Sequence, residues 1–233
     1  MSDYGLLIKN SDGQVQIDST YENYSYFSSV VASVTTNTNE VNITDTTKVP
    51  IIAWKPSTTY CTAHVGFTKS GSTFTHAKFL GEIGGISSSI TVHTYVEGQV
   101  NASTNYGLLV YNSSGTVVFS SDDTPMKIVG VYPDTLTFDN VIDDSNNVEV
   151  TVDDATNNYF MLVPVYPQYI GFSCNPAFPA SWVGYFFTKG LKKIDSTTIR
   201  VAQFLFHSQA GGGGCPGSVD YWVDDHILLE ISA

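Results

Sequence analysis

The sequence predicts an all-β protein that consists of two tandem, duplicated antiparallel β-sandwich domains. Three observations support this fold class: a 16-residue motif that occurs twice, a succession of short apolar segments between turn signals, and the lack of helical spacing. Apolar side chains do not recur with the period of a helix over three or more turns in any segment. Short segments rich in Val, Ile, Phe and Tyr, bounded by Gly, Pro, Asn and Asp, are instead typical of sandwiches and open barrels.

The repeated motif occupies residues 4–19 and 106–121, at a constant offset of 102 and without a gap. Nine positions are identical, among them the opening Tyr-Gly-Leu-Leu and the central Asn-Ser-x-Gly. Each copy predicts a β-hairpin, because an apolar run meets a turn in which Asn bonds its own backbone and Gly takes a positive φ. Nine identities in one register indicate a shared origin, and therefore a duplicated module.

The first domain is predicted to comprise residues 1–100. Val41 and Ile43 are strand-like positions inside the polar run 35–48, and Pro56 follows a buried apolar strand that it helps to end, since proline has no N–H for a ladder. After the hairpin, alternation and a high content of β-branched and aromatic residues predict strands at 21–27, 30–34, 49–54, 60–68, 74–80 and 90–96.

The second domain is predicted to comprise residues 101–233 and to repeat the same order of strands. It is longer, mainly through two stretches interpreted as loop insertions, 133–147 and 164–182. The predicted strands lie at 126–132, 148–152, 159–164, 183–189 and 199–205, with a last one at 219–223 or 227–231.

Charge and hydropathy exclude several kinds of partner. The formal net charge of −12 argues against nucleic acid and against an anionic membrane surface. No apolar stretch is long enough for a membrane-spanning helix, so no membrane insertion is expected. The N-terminus lacks a basic and apolar signal region, which predicts synthesis in a cytoplasm. Cys61, Cys174 and Cys215 are widely spaced and are predicted to be free thiols.

The sequence shows no catalytic motif, and we predict no catalytic residues, no cofactor and no metal site. The five histidines never fall in a close pair. The stretch 139–147 is rich in Asp and Asn oxygens, which calcium prefers, but it lacks the EF-hand pattern, so a solvated turn is the favoured interpretation and calcium binding stays open. The glycine-rich segment 211–217 precedes no helix and is interpreted as an exposed loop.

Aromatic residues in the predicted loops and on one alternating strand are the candidate interaction residues. Long loops in compact domains are often functional, and exposed aromatic side chains anchor contacts with proteins or sugars. A loop that folds back over the core of the second domain explains the same pattern equally well. The candidates are Tyr24, Tyr26, Tyr166, Tyr169, Phe178, Trp182 and Trp222.

The N-terminal motif resembles the opening hairpin of small virion proteins of tailed bacteriophages, in which Gly-Leu-x-x-x-Asn-x-x-Gly is followed by Asp-Ser. The resemblance is carried by Gly5, Leu6, Asn10, Gly13, Asp18 and Ser19, and it covers about 16 residues twice; in the second copy Ser120 replaces the Asp. It implies a non-enzymatic virion component at the tail tip or tail fibre that works through protein–protein contacts. A role in host adhesion is also implied. The implied partners are other virion proteins, further copies of the chain, and a host-surface glycan or protein.

Three alternatives remain open at this stage. A capsid decoration or head-spike protein would share the same construction. A carbohydrate-binding, lectin-like module would use Tyr24, Tyr26, Trp182 or Trp222 as sugar platforms. A glycan-degrading enzyme is disfavoured, because no pair of acidic residues stands out in the sequence.

Overall fold

All regular structure in the described part of the chain is β-strand, which confirms the predicted all-β class. A computed structural model describes residues 7–9, 15–18, 24–83, 88–98, 108–134, 147–163, 168–175, 181–212 and 226–232. Within these ranges we find no helix with the length and apolarity that crossing a membrane requires.

The strands of the first half are β1 to β8, and those of the second half are β9 to β17. The first set comprises β1 (Leu7–Lys9), β2 (Val15–Asp18), β3 (Tyr24–Val34), β4 (Asn37–Thr46), β5 (Pro50–Lys55), β6 (Thr62–Ser70), β7 (Thr73–Gly81) and β8 (Ser88–Glu97). The second set comprises β9 (Leu109–Tyr111), β10 (Val117–Ser120), β11 (Ile128–Asp134), β12 (Asn147–Thr151), β13 (Tyr159–Val163), β14 (Gln168–Asn175), β15 (Ser181–Lys193), β16 (Thr198–Gly212) and β17 (His226–Ile231).

Two antiparallel sheets form a sandwich-like structure. Sheet I has the order β11-β17-β13-β5-β8-β3, and sheet II has the order β12-β16-β15-β6-β7-β4, with β14 paired to β15. The main hydrophobic core takes buried side chains from both sheets, such as Trp54 and Phe160 of sheet I and Phe79 and Leu191 of sheet II. Trp54 and Phe79 meet edge to face, with ring centroids 5.5 Å apart. Alternation along each strand places these side chains inside.

The two halves have the same strand order and contribute three strands to each sheet. From edge to centre, sheet I contains β3-β8-β5 of the first half and β11-β17-β13 of the second. Sheet II likewise contains β4-β7-β6 and β12-β16-β15. The halves therefore correspond strand by strand, apart from β14. Both sheets run continuously across the border at residue 100, so the halves share one sandwich.

In each sheet one pair of opposite residues joins the strands of the two halves, and we call this line the seam. In sheet I, Phe160 of β13 is opposite Trp54 of β5, and in sheet II, Leu191 of β15 is opposite Thr62 of β6. The Trp54 indole Nε1–H donates a hydrogen bond of 3.1 Å to Thr62 Oγ1, across the sandwich. A buried indole N–H needs such a partner, so this bond ties the two sheets together at the seam.

The two copies of the motif are hairpins of identical register, as predicted. Leu7 pairs with Asp18 in the first, and Leu109 pairs with Ser120 in the second, which is the same pair shifted by 102. In the second turn, Asn112 Oδ1 accepts backbone hydrogen bonds of 3.0 and 2.9 Å, and Gly115 has a φ of 77°. Asn and Gly thus have the roles that their order in the motif predicts.

The prediction of a loop throughout 164–182 is wrong in part. Residues 168–175 form β14, which pairs with β15 from Gln168–Thr188 to Asn175–Ser181. The alternating, β-prone sequence of this segment contained the signal, but the flanking prolines and the expected match to the first half suggested an insertion without structure. The first half has no equivalent strand, so the repeat could not predict it.

Candidate contact surface

Four aromatic rings meet on the outer face of sheet I, and we call Tyr26, His93, Tyr95 and Tyr159 the aromatic cluster. Strand alternation explains their position, because Val92 points into the main core while His93 and Tyr95 flank the opposite face. Tyr159 stacks on His93 with centroids 3.5 Å apart and ring planes at 19°. Tyr26 meets His93 edge-on at 5.0 Å and Tyr95 at 6.4 Å. The cluster spans β3, β8 and β13, so it crosses the seam.

Lys55 borders the aromatic cluster. The Nζ atom of Lys55 lies 4.7 Å from the centroid of the Tyr159 ring, which is a cation–π distance. Burial and the nearby Lys193 lower the pKa of Lys55, while Asp154 acts in the opposite direction. The ammonium group therefore lies over a ring face at the margin of an apolar patch.

Three titratable groups of the aromatic cluster, Tyr95, Tyr159 and His93, are neutral at physiological pH. Burial raises the pKa of Tyr95 to about 12, with the neighbouring Tyr159 and Tyr26 phenols acting in the same direction. Burial also raises the pKa of Tyr159. Burial, followed by the charge of Lys55, lowers the pKa of His93 to about 4. A neutral aromatic surface results, within a chain whose formal net charge is −12.

The exposure of the cluster is graded. Tyr95 and Tyr159 are buried, whereas Tyr26 and His93 are only partly buried. Partly buried apolar side chains pack around the rings, and these are Tyr24, Ile51, Met126 and Met161. Aromatic residues and methionine around a fixed, desolvated centre are the typical composition of a protein–protein contact.

The structure brings two of the predicted interaction residues into this surface. Both lie in β3, where Tyr26 is one of the four rings of the aromatic cluster and Tyr24 packs against it. Tyr169 lies in β14 and Trp182 in β15, both in the arm of sheet II that has no counterpart in the first half. The other three candidates, Tyr166, Phe178 and Trp222, lie outside the described residues.

Sequence reasoning missed His93, Tyr95, Tyr159 and Lys55. The alternation of Thr91, His93 and Tyr95 between the core positions of β8 contained a signal that this strand has an aromatic outer face. Tyr159 gave no comparable signal, because its contact with His93 depends on the pairing of β13 with β5 across the seam. The alternation of residues along a single strand does not indicate which strand of the other half it pairs with.

Two clefts offer other concave surfaces. A cleft of about 210 Å³ on sheet II is lined by Cys61, Glu82 and Arg200 among others. Glu82 accepts the Cys61 backbone N–H at 3.0 Å, and Arg200 pairs with Glu149, so these charged groups are engaged within the protein. A wider cleft of about 340 Å³ lies at the end of the first half, beside Phe27, and its rim is polar. Among the described residues, neither cleft shows a nucleophile hydrogen-bonded to a base.

The described residues contain no group of three His, Cys, Asp or Glu side chains arranged to hold a metal ion. Residues 139–146 of the candidate calcium stretch 139–147 lie outside the described residues. Asp154 closes the turn between β12 and β13, because its Oδ1 accepts the backbone N–H groups of Thr156 and Asn157 at 2.9 Å each. Hydrogen bonds from Asn157 and Thr156 lower the pKa of Asp154. This carboxylate has the structural role of a turn residue.

Comparison of the chain with protein-family models, with curated proteins and with solved structures finds no match in any of the three.

Buried histidines predict a loss of stability in mild acid. His64 lies in the core against Phe67 and Phe79, and burial lowers its pKa to about 4 despite a hydrogen bond with Gly66. The pKa of His93 is lowered to the same value. In the unfolded chain both return to about 6.5, so the unfolded state binds more protons between pH 6.5 and 4, and stability falls as the pH decreases through this window.

We expect His64 to contribute a loss of about 3 kcal/mol between pH 7 and pH 4, and the half-exposed His93 a smaller one. Urea unfolding at several pH values measures this loss. The variant His64→Gln is expected to flatten the pH dependence. Equal pH profiles for wild type and His64→Gln would contradict the prediction.

Proposed function

We propose that the protein is a non-enzymatic structural component of a tailed-phage virion, associated with the tail tip or tail fibre, which works through protein–protein contacts. The aromatic cluster is the observation that supports this function best. It presents partly buried Tyr, His and Met side chains on the outer face of a rigid sheet. The resemblance of both hairpins to the opening motif of phage virion proteins supports the same function.

The electrostatics of the chain favour this surface for contacts. Two copies of an acidic protein repel each other, and an acidic protein also repels acidic neighbouring proteins. A contact surface of neutral groups avoids this repulsion. The His93 and Tyr95 rings of the aromatic cluster are neutral, and the Lys55 ammonium lies at its border. Tyrosine also loses little side-chain entropy on binding, because it has few rotatable bonds.

The duplicated architecture suits an assembly component. Two halves of the same strand order share two sheets, so the chain has internally the organisation of a symmetric dimer. Each sheet has two edge strands, which are β3 and β11 in sheet I and β4 and β12 in sheet II. Neighbouring subunits can extend a sheet by pairing with edge strands of this kind.

The proposal is tested on particles of the phage that encodes the chain. We expect mass spectrometry to detect the chain in gradient-purified virions, and antibody-gold labelling to place it at the tail tip or fibre. Labelling on the head would instead support a capsid decoration protein of the same construction. A chain that is made in infected cells but missing from intact particles contradicts the proposed function.

Incorporation of variants tests the aromatic cluster itself. Truncation of an aromatic anchor at an interface costs about 2 kcal/mol or more, so we expect Tyr26→Ala to reduce incorporation about tenfold or more when it complements a phage that lacks the gene. The matched control is Tyr111→Ala, which removes an exposed tyrosine from the second hairpin. Thermal unfolding of both purified variants separates loss of contact from loss of fold. Equal incorporation of the two variants would contradict a contact role for the cluster.

A further inference from the structure

The edge strand β3 is open along most of its length. At its beginning it is paired on both sides: Tyr26 N–H donates to Thr124 O at 2.8 Å, and Met126 N–H donates to Tyr24 O at 2.7 Å. The described bonds on this second side stop at Tyr26, next to a register shift between Tyr26 and Ser28 in the pairing of β3 with β8. From residue 28 to 34, β3 pairs with β8 on one side, and no described segment pairs with the other. Alternate backbone N–H and C=O groups of this stretch therefore point outward.

The open stretch has the composition of a pairing segment. Residues 28–34 read Ser-Ser-Val-Val-Ala-Ser-Val, with three β-branched valines, no proline and no charged side chain. Val31, at the centre of the stretch, is 68% exposed, the highest value among the large apolar side chains described. Soluble proteins usually protect a long edge with charges, proline or bulges, so an unprotected edge indicates that something pairs with it.

The other three outer strands show this protection. The equivalent strand in sheet I, β11, contains Pro133 and ends at Asp134. In sheet II, β12 has five residues and includes Glu149, while β4 includes Glu40 and has a register shift between Asn42 and Thr46. Only β3 combines length, neutrality and an exposed central valine among these four strands.

We propose that residues 28–34 of β3 pair antiparallel with the same residues of a second copy of this chain. A two-fold axis through Val31 sets the register, since the three exposed positions of the stretch, 29, 31 and 33, are then symmetric about it, while Val34 at its end is buried. Val31 covers Val31 of the second copy on the outer face, and Ser29 lies opposite Ser33. The register brings together no like charges, which would destabilise a directly opposite pair.

A second copy explains the edge better than an unrelated strand does. The stretch is complementary to itself about its own centre, which an isologous contact requires. The chain also contains a precedent, because its two halves join by antiparallel pairing of equivalent strands, β5 with β13 and β6 with β15. Pairing through β3 continues sheet I from six strands to twelve and keeps both aromatic clusters on the same face of the extended sheet.

The contact is small, since seven residues of each chain take part. It buries less than the standard interface, and we therefore expect a dissociation constant of about 10–100 μM rather than an obligate dimer. Such an affinity leaves dilute protein monomeric and populates the dimer where copies are concentrated, as in an assembly. The dimer does not depend on the position of the protein in a virion, so it stands or fails independently of the proposed function.

Sedimentation equilibrium of the full chain, from about 1 μM to about 1 mM, tests the dimer. We expect a monomer–dimer equilibrium, and we expect Val31→Lys to raise the dissociation constant about tenfold or more, because it sets two ammonium groups opposite each other. The matched control is Val131→Lys, since Val131 is 60% exposed on the protected edge β11. This control is expected to leave the equilibrium unchanged.

Disulfide trapping tests the register independently of charge. The Cβ atoms of a directly opposite pair lie about 4.5–5.5 Å apart, close to the span of a disulfide. Val31→Cys is therefore expected to give a covalent dimer under mild oxidation, and Val131→Cys is not. A wild-type protein that stays monomeric over the whole concentration range overturns the proposal, as does a dimer that Val31→Lys leaves intact. A dimer that Val31→Cys fails to trap overturns the pairing centred on Val31.

Discussion

Replacement of Glu230 by glutamine is expected to lower the free energy of unfolding by about 2–4 kcal/mol. The Glu230 side chain on β17 has 0% exposure and accepts four hydrogen bonds. Oε1 accepts from Asp154 N at 2.8 Å and from Asn158 Nδ2 at 2.7 Å, and Oε2 accepts from Tyr132 Oη at 2.7 Å and from Asp153 N at 3.0 Å. In either orientation, a glutamine places its NH₂ group against a backbone N–H, so that at least one buried donor loses its acceptor.

The hydrogen bonds of Glu230 connect three elements of the second half. Tyr132 belongs to β11, the Asp153–Asn158 turn connects β12 of sheet II to β13 of sheet I, and Glu230 itself lies in β17. Burial raises the pKa of Glu230, but the four donors outweigh burial and hold the pKa below its ordinary value. The carboxylate is charged at neutral pH, and its contribution is present above about pH 4.3 and lost as the pH falls through the folded-state pKa. This loss lies at lower pH than the onset of the histidine effect.

Urea unfolding at pH 7 measures the Glu230→Gln effect. The matched control is Glu149→Gln on β12, because Glu149 is an exposed carboxylate that pairs with Arg200 at the surface. An exposed pair of this kind contributes about 0–1 kcal/mol. A loss below about 1 kcal/mol for Glu230→Gln, or equal losses for the two variants, would show that the buried carboxylate does not hold the turn.

Local features of the fold could be predicted from the sequence because their causes are local. The hairpin turn at Asn112 and Gly115 depends on one side-chain acceptor and one positive φ, and both are properties of residue type. Val41 and Ile43 were recognisable as strand positions by their alternation within a polar run, and both are buried in β4. The duplicated motif predicted a repeated order of strands, which the two halves show.

The pairing between the halves could not be predicted, because it depends on contacts distant in sequence. Trp54 and Phe160 would be buried strand residues both in two separate sandwiches and in one shared sandwich. The alternation of apolar residues therefore does not distinguish these two arrangements. Glu230 is the sharpest case. A glutamate in the apolar segment Ile-Leu-Leu-Glu-Ile suggests a solvent-facing position, and only the donors from the Asp153–Asn158 turn make its burial favourable.

The candidate contact surface could likewise be predicted only in part. Alternating tyrosines predicted an aromatic outer face for β3, where Tyr24 and Tyr26 lie. The rings that complete the cluster come from β8 and β13, and Tyr159 reaches His93 only because the seam places β13 beside β5. The seam therefore has two roles, since it continues the core and assembles the surface that we propose for contacts.

A methyl group at Gly190 is expected to open this seam. The Cβ atom of an alanine at position 190 of β15 would lie 2.7 Å from the backbone carbonyl oxygen of Thr62 and would also collide with the Phe204 ring. The Phe204 ring can rotate, but the Thr62 carbonyl is fixed by the pairing of Thr62 with Leu191, the residue next to Gly190. We expect Gly190→Ala to lower the free energy of unfolding by about 3 kcal/mol, at the upper end of overpacking effects.

Loss of the seam should also change how the protein unfolds. If the halves separate before they unfold, urea unfolding of Gly190→Ala shows a lower m value or two transitions, because less surface is exposed in each step. The matched control is Gly71→Ala in the turn between β6 and β7, where φ is +61° and no atom lies within 4 Å of the added Cβ. This change adds backbone strain of about 1–2 kcal/mol without a collision, so a single cooperative transition should remain. If Gly190→Ala unfolds with the m value of the wild type and costs no more than Gly71→Ala, the close approach at Thr62 does not hold the halves together, and the shared sandwich depends on its core side chains and on other backbone hydrogen bonds between the halves.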